Sequence, residues 1–169
     1  MTWEETIKFI RNKPEWEYLV SGCYYDEDLE KNVKRFRKSD EYRETLRFFK
    51  RYGVKNGSKI IDVGAGNGIA AVSFALDGFD VVALEPDPSD TIGNGAIAIL
   101  KDKLNLANLK IITAWGETIP FPEESFDLVY ARQTMHHAHN LNLFIKEVAR
   151  ILKHEGIFFA NRDHVVNNQ

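Results

Sequence analysis

Glycines at alternate positions just behind a carboxylate let a ligand lie against bare backbone. In this chain they are Gly64, Gly66 and Gly68, and the carboxylate is Asp62, within Ile60-Ile61-Asp62-Val63-Gly64-Ala65-Gly66-Asn67-Gly68. The apolar residues before the glycines read as a strand, and the apolar pattern after them as a helix. A strand, tight turn and helix N-terminus bring backbone N–H groups to one point, with no Cβ in the way and positive φ available. A dinucleotide fingerprint, G-x-G-x-x-G, would need its third glycine at position 69. Ile69 stands there and the glycine comes one residue early, at Gly68, which disfavours a nicotinamide cofactor.

The elements that must position this turn follow from periodicity. Short apolar runs predict strands at 59–63, 79–84, 110–113, 127–131 and 156–160. Helical patterns fall between them at 68–77, from Ser89 or Asp90 to about 104, and at 141–152. Alternating strands and helices imply a parallel α/β sheet covered on both faces. Residues 1–54 read instead as successive helices, broken at Pro14 and Gly22, with Ser39 as the N-cap of the last. The expected organisation is a helical cap, 1–54, and a sheet domain, 55–169. The tail from Asn161 reads as polar and weakly structured.

In open α/β sheets, ligands bind beyond the carboxyl ends of the strands. The chemistry-bearing residues fall at those ends: Glu85 after the second strand, Trp115-Gly116-Glu117 after the third, Arg132-Gln133 after the fourth. Glu85 stands about twenty residues beyond the glycine turn, where a carboxylate can accept from both ribose hydroxyls. Arg132 is a fixed cation suited to a carboxylate, on cofactor or substrate, with a surface ion pair as its alternative. His136, His137 and His139 suit a general base or substrate contact better than a metal, because adjacent histidines lack ligand spacing. No metal is expected. Otherwise they are helix-start residues.

The glycine turn resembles the first motif of the class I S-adenosylmethionine-dependent methyltransferases, an apolar strand followed by D-x-G-x-G-x-G. The stretch GETIPFPEESFDLVYARQTMHH, residues 116–137, is similar to a later pattern of the same family. The resemblance covers about 59–160 and implies a Rossmann-like sheet of order 3-2-1-4-5-7-6. The last two strands of that order have no counterpart in the 169 residues, so the expected order is 3-2-1-4-5. It implies S-adenosylmethionine as cofactor, held by Asp62, Gly64, Ala65, Gly66, Asn67, Gly68, Glu85, Pro86, Trp115, Gly116, Glu117 and Arg132. It also implies transfer of a methyl group to a small-molecule acceptor. Tyr24, Tyr25, Arg132 and His137 are the candidate acceptor-binding residues, and His136 and His137 the catalytic candidates.

Two positions depart from the family. Trp115 stands where an Asp often accepts from the adenine amino group, and an indole cannot accept. It either walls the adenine or packs in the core. Lys153-His154-Glu155-Gly156 replaces a Lys-Pro-Gly-Gly turn before the fifth strand. Because strand five would be left with an open edge, either the natural chain is longer or the edge is covered in a homodimer. A cofactor-binding module without catalysis is the alternative function.

Bulk properties bound the remaining classes. The 169 residues carry a net charge of −3, which gives no global field for nucleic acid or an anionic membrane. Basic residues between 31 and 51 are interleaved with acidic ones, as on a solvated helix face. No apolar run approaches a membrane span, Cys23 is the one cysteine, and the N-terminus lacks a secretory pattern. The expectation is a soluble cytoplasmic protein that binds neither nucleic acid nor membrane.

Overall fold

The computed structural model describes residues 2–163. The polar tail beyond Asp163 and the side chain of Trp3 lie outside the described residues. Four helices come first: α1 (Trp3–Arg11), α2 (Glu17–Gly22), α3 (Leu29–Lys38) and α4 (Asp40–Arg51). Their starts are set by side chains that satisfy first-turn amides. Thr2 and Glu5 form a capping box on α1, Asp28 accepts from the Lys31 N–H, and Ser39 accepts from the Tyr42 N–H. As the N-cap, Asp28 fixes the start of α3 at Leu29.

The sheet domain then alternates β1 (Lys59–Val63), α5 (Ile69–Leu76), β2 (Asp80–Leu84), α6 (Asn94–Lys103), β3 (Leu109–Ile112), β4 (Phe126–Arg132), α7 (Leu141–Ile151) and β5 (Leu152–Asn161). The five strands are all parallel, in the order β3-β2-β1-β4-β5. The Rossmann-like architecture and strand order inferred from the sequence are therefore present.

Alternation along the strands divides the core in two. Ile60, Val81, Ala83, Leu128 and Tyr130 face α3 to α6, while Ile61, Val63, Val82, Leu84, Val129 and Ala131 face α7. Nearly every residue of α5 is buried, because α3 covers the side that would otherwise meet water. The N-terminal helices share the first core. Phe36, Tyr42 and Phe49 pack with Phe74 and Tyr130 in one chain of stacked, tilted and edge-on rings. Tyr42 Oη donates to Asp77 at 2.6 Å, and Arg37 pairs with the other Asp77 oxygen, locking α3 and α4 to the end of α5.

Two expectations are corrected. Ser89 does not cap α6: its hydroxyl accepts from the Thr91 and Ile92 N–H groups, and the helix starts only after Gly93. The residues Lys153 to Gly156 are not a turn before the last strand. β5 follows α7 without a loop, and the irregular register between Phe126 and Leu128 absorbs this stretch.

Candidate functional site

The carboxyl ends of β1, β2, β3 and β4 open into a cavity of about 580 Å³, closed on one side by Cys23 and Tyr25 between α2 and α3. Its floor is the turn after β1. The Gly64 and Ala65 N–H groups donate to the Leu84 carbonyl at 2.9 and 3.2 Å, so the turn is pinned to β2. The Gly66 N–H donates to Glu85 Oε2 at 2.7 Å, and Asp87 N–H donates to Oε1 at 2.9 Å. Each Glu85 oxygen thus keeps a lone pair for a ligand. Burial raises its pKa above the ordinary value, against the pull of those two amides.

Asp62 is 1% exposed at the end of β1. Burial pushes its carboxyl up to about 7; the Ala71 amide opposes the shift and the Glu85 charge adds to it. Its Oδ2 has no hydrogen-bond partner among the described residues, although the side chain lines the cavity. A buried acceptor left in this state is unfavourable until a donor arrives.

The three glycines differ. A Cβ on Gly64 would lie 2.5 Å from Thr134 Cγ2, and one on Gly68 2.8 Å from Ile97 Cγ1. A Cβ on Gly66 would meet nothing closer than the Ile92 carbonyl at 3.8 Å. Gly64 and Gly68 are required by the protein's own packing, whereas Gly66 leaves its space to the cavity.

Of the residues expected to hold a cofactor, all but Gly68 line the cavity. Trp115 is 54% exposed, with its ring edge-on to His139 at 5.2 Å, so the core-packing alternative does not hold. Gly116 is needed because a Cβ there would strike the Phe144 ring. Glu117 accepts from the Asn140 N–H. The Asn67 amide donates to the Tyr24 carbonyl at 2.7 Å, tying the cap to the glycine turn.

The acceptor candidates are not all brought together. Tyr25 and His137 line the cavity, but Tyr24 turns into the core, edge-on to Phe36 at 5.6 Å, and is not a cavity residue. The left-handed backbone at Tyr24 separates the directions of these neighbours. His136 also lies off the cavity lining, with Nδ1 2.9 Å from Asp163 Oδ1. Burial, then the His136 charge, hold the His137 pKa below its ordinary value.

Arg132 lines the cavity, yet its charge is engaged. Nε and Nη2 donate to the two Glu41 oxygens at 2.6 and 3.2 Å, Nη1 donates to Gln133, and the guanidinium lies over the rings of Tyr24 and Phe36. Burial penalises both charges; their pairing outweighs it, raising the Arg132 pKa and lowering that of Glu41. Sequence reasoning missed Glu41, which also accepts from Asn161 and Arg162. Nothing local marks it on an exposed-looking helix. Among the described residues no group of three His, Cys, Asp or Glu side chains could hold a metal ion.

Residues 61–160 match a family described as a methyltransferase domain. An uncharacterized methyltransferase, YcgJ of Bacillus subtilis, is 29% identical over 100 residues, covering 59% of this chain and 38% of that protein. A sterol 24-C-methyltransferase, ERG6B of Gibberella zeae, is 36% identical over 107 residues, covering 63% of this chain and 28% of its own length. The chain therefore spans well under half of either relative. A solved structure of a putative S-adenosyl-L-methionine-dependent methyltransferase from Methanococcus maripaludis superposes with a TM-score of 0.62 at 22% identity, covering 80% of this chain and 63% of that one. At that identity the likeness speaks for the fold.

Proposed function

The chain belongs to the methyltransferase-domain family, and from that premise we propose that it transfers a methyl group from S-adenosylmethionine to an uncharged small molecule. The observation that carries the reading is Glu85. It is buried at the cavity floor, bonded to the Gly66 N–H, and retains acceptor capacity on both oxygens. That suits a vicinal diol such as a ribose.

The residues present fit the cofactor. The unpartnered Oδ2 of Asp62 suits an ammonium group, the space above Gly66 suits close approach, and the exposed ring of Trp115 offers a face for a flat base. Bound there, the cofactor supplies an electrophilic methyl on a sulfonium. The protein's part is alignment and exclusion of water. Cys23, Tyr25, Gln133, His137 and Phe144 belong to the rest of the lining, where the acceptor would lie. The one arginine at this wall is paired to Glu41, which argues against an anionic acceptor. An apolar acceptor, of the kind the sterol methyltransferase is named for, is compatible with that wall.

Titration calorimetry tests the reading. S-adenosylmethionine and S-adenosylhomocysteine should bind and NADH should not. Glu85→Ala should cost about 1–3 kcal/mol of that affinity through lost hydrogen bonds. Binding of NADH in place of the sulfonium, or wild-type affinity in the variant, would overturn it.

A further inference from the structure

We infer that the Gln133 side-chain amide holds the carboxylate of the cofactor's methionine part, and that the Arg132–Glu41 pair positions it to do so. The inference rests on the methyl-transfer reading above and gives the carboxylate to a residue other than Arg132. Arg132 engages Nε and Nη2 with the two Glu41 oxygens, and its Nη1 donates to Gln133 Oε1 at 2.9 Å. A guanidinium has donors only, so the amide oxygen of Gln133 must face it and the NH2 end faces away. That Nε2 has no hydrogen-bond partner among the described residues, and Gln133 lines the cavity. The backbone is fixed as well. Gln133 has a left-handed φ of 54°, and its N–H donates to the Asn161 carbonyl at 3.0 Å. A strained backbone of this kind persists where its surroundings over-determine it, and such residues cluster at ligand sites.

Gln133 is the part of the lining that adjoins the glycine turn. Its neighbour Thr134 packs on Gly64 so closely that a Cβ there would strike its side chain. Asp62, whose unpartnered oxygen suits the ammonium group, stands two residues before Gly64. Other donors of this region are engaged. The Gly64 and Ala65 N–H groups donate to the Leu84 carbonyl, that of Gly66 to Glu85 and that of Gly68 to the Ala65 carbonyl. The Asn67 amide donates to the Tyr24 carbonyl, and the Thr134 hydroxyl to the Arg132 carbonyl at 3.1 Å. An amino-acid group is a zwitterion. With its ammonium balanced at Asp62, its carboxylate requires a hydrogen-bond donor more than a second free charge, and an uncharged amide supplies one. The charge behind the amide has the favourable sign, because Arg132 and Arg162 share the single carboxylate of Glu41.

Calorimetry with S-adenosylhomocysteine and with its decarboxylated analogue, which keeps the amine and the thioether, tests the inference. Wild type should prefer the carboxylate-bearing ligand by about tenfold, as a hydrogen bond to a charged group predicts. Gln133→Met keeps the length of the side chain without its donor. It should bind S-adenosylhomocysteine about tenfold more weakly and the analogue within about twofold of wild type. Gln133→Glu keeps an oxygen for Arg132 and places a negative charge in the cavity, so it should reverse the preference. Arg132→Lys can pair with Glu41 but has no fork to reach Gln133 as well. Its preference should fall between those of wild type and Gln133→Met, with the analogue bound as in wild type. In wild type, the NMR signals of the Gln133 side-chain amide should shift on adding S-adenosylhomocysteine and stay in place with the analogue, a readout that needs no variant to fold. No preference in wild type, equal losses of both ligands in Gln133→Met, or unmoved amide signals would overturn the role of Gln133. An undiminished preference in Arg132→Lys would overturn the positioning role. Failure of wild type to bind either ligand would sink the methyl-transfer reading instead.

Discussion

Gly64 and Gly66 stand two residues apart in one turn, with φ of 70° and 55°. A methyl group on each would have opposite consequences. Both Gly→Ala changes put an L-residue in the left-handed region, at about 1–2 kcal/mol. At Gly64 the new methyl also lies 2.5 Å from Thr134 Cγ2 and 2.6 Å from Oγ1. Overpacking of that kind adds about 1–3 kcal/mol. At Gly66 the nearest heavy atom is 3.8 Å away, so nothing is added. Gly66→Ala should therefore lose about 1–2 kcal/mol of stability and Gly64→Ala about 2–5 kcal/mol. Urea denaturation measures both. Ligand binding should invert the order of severity in the folded variants. The Gly66 methyl occupies cavity space beside the amide that holds Glu85, so S-adenosylhomocysteine should bind at least tenfold more weakly, about 1.4 kcal/mol. Calorimetry on folded Gly64→Ala should show a smaller loss. Equal stability losses in the two variants, or wild-type binding by Gly66→Ala, would refute this division of the glycines.

Asp62, with its pKa near 7 rather than 3.8, binds a proton in the folded state that the unfolded chain has released. The ligand-free protein should lose up to about 4 kcal/mol as pH rises from about 4 to 7. Asp62→Asn should abolish that slope in pH-dependent melts while weakening cofactor binding; an unchanged slope would count against it. Glu41→Ala leaves Arg132 charged and mostly buried, and should cost about 3–5 kcal/mol by urea denaturation. Because pairing lowers the Glu41 pKa, its stabilisation is full above the ordinary carboxylate range and fades as pH falls through the folded value, so the variant should also lose part of its acid limb. Trp115→Phe should remove most of the fluorescence change that S-adenosylhomocysteine causes, and a retained change would place the reporter at Trp16 or Trp3.

The strand ends were legible in the sequence because a buried parallel strand is a continuous apolar run and its first polar residue marks the rim. β1 was read to its ends, and Asp62, Glu85, Trp115 and Arg132 all reach the same cavity. What the sequence did not disclose is pairing at a distance. Glu41 precedes Arg132 by 91 residues, and Asp163 follows His136 by 27. Neither pair leaves a periodic trace. Tyr24 and Tyr25 carry the same side chain, and the left-handed backbone at Tyr24, which no local pattern announces, accompanies the entry of its ring into the core. At Ser89 a local turn outcompeted the cap. The hydroxyl satisfies two nearby amides without a helix, and the Cβ-free backbone of Gly93 packs tightly against the Asp87 carbonyl.

Glu41 also bears on how the chain emerges from the ribosome. Its partners Arg132 and Arg162 lie 91 and 121 residues downstream, and the Phe48 ring on the same helix meets Phe159 of β5 at 4.6 Å. At roughly 5–20 residues per second, α4 waits about 6–24 s for those partners to be synthesised. Throughout that interval a carboxylate and an aromatic ring that the folded protein half-buries stay exposed on the nascent chain. A helix made early is thus completed by a strand that follows it by about a hundred residues, so its packing is settled well after its own synthesis.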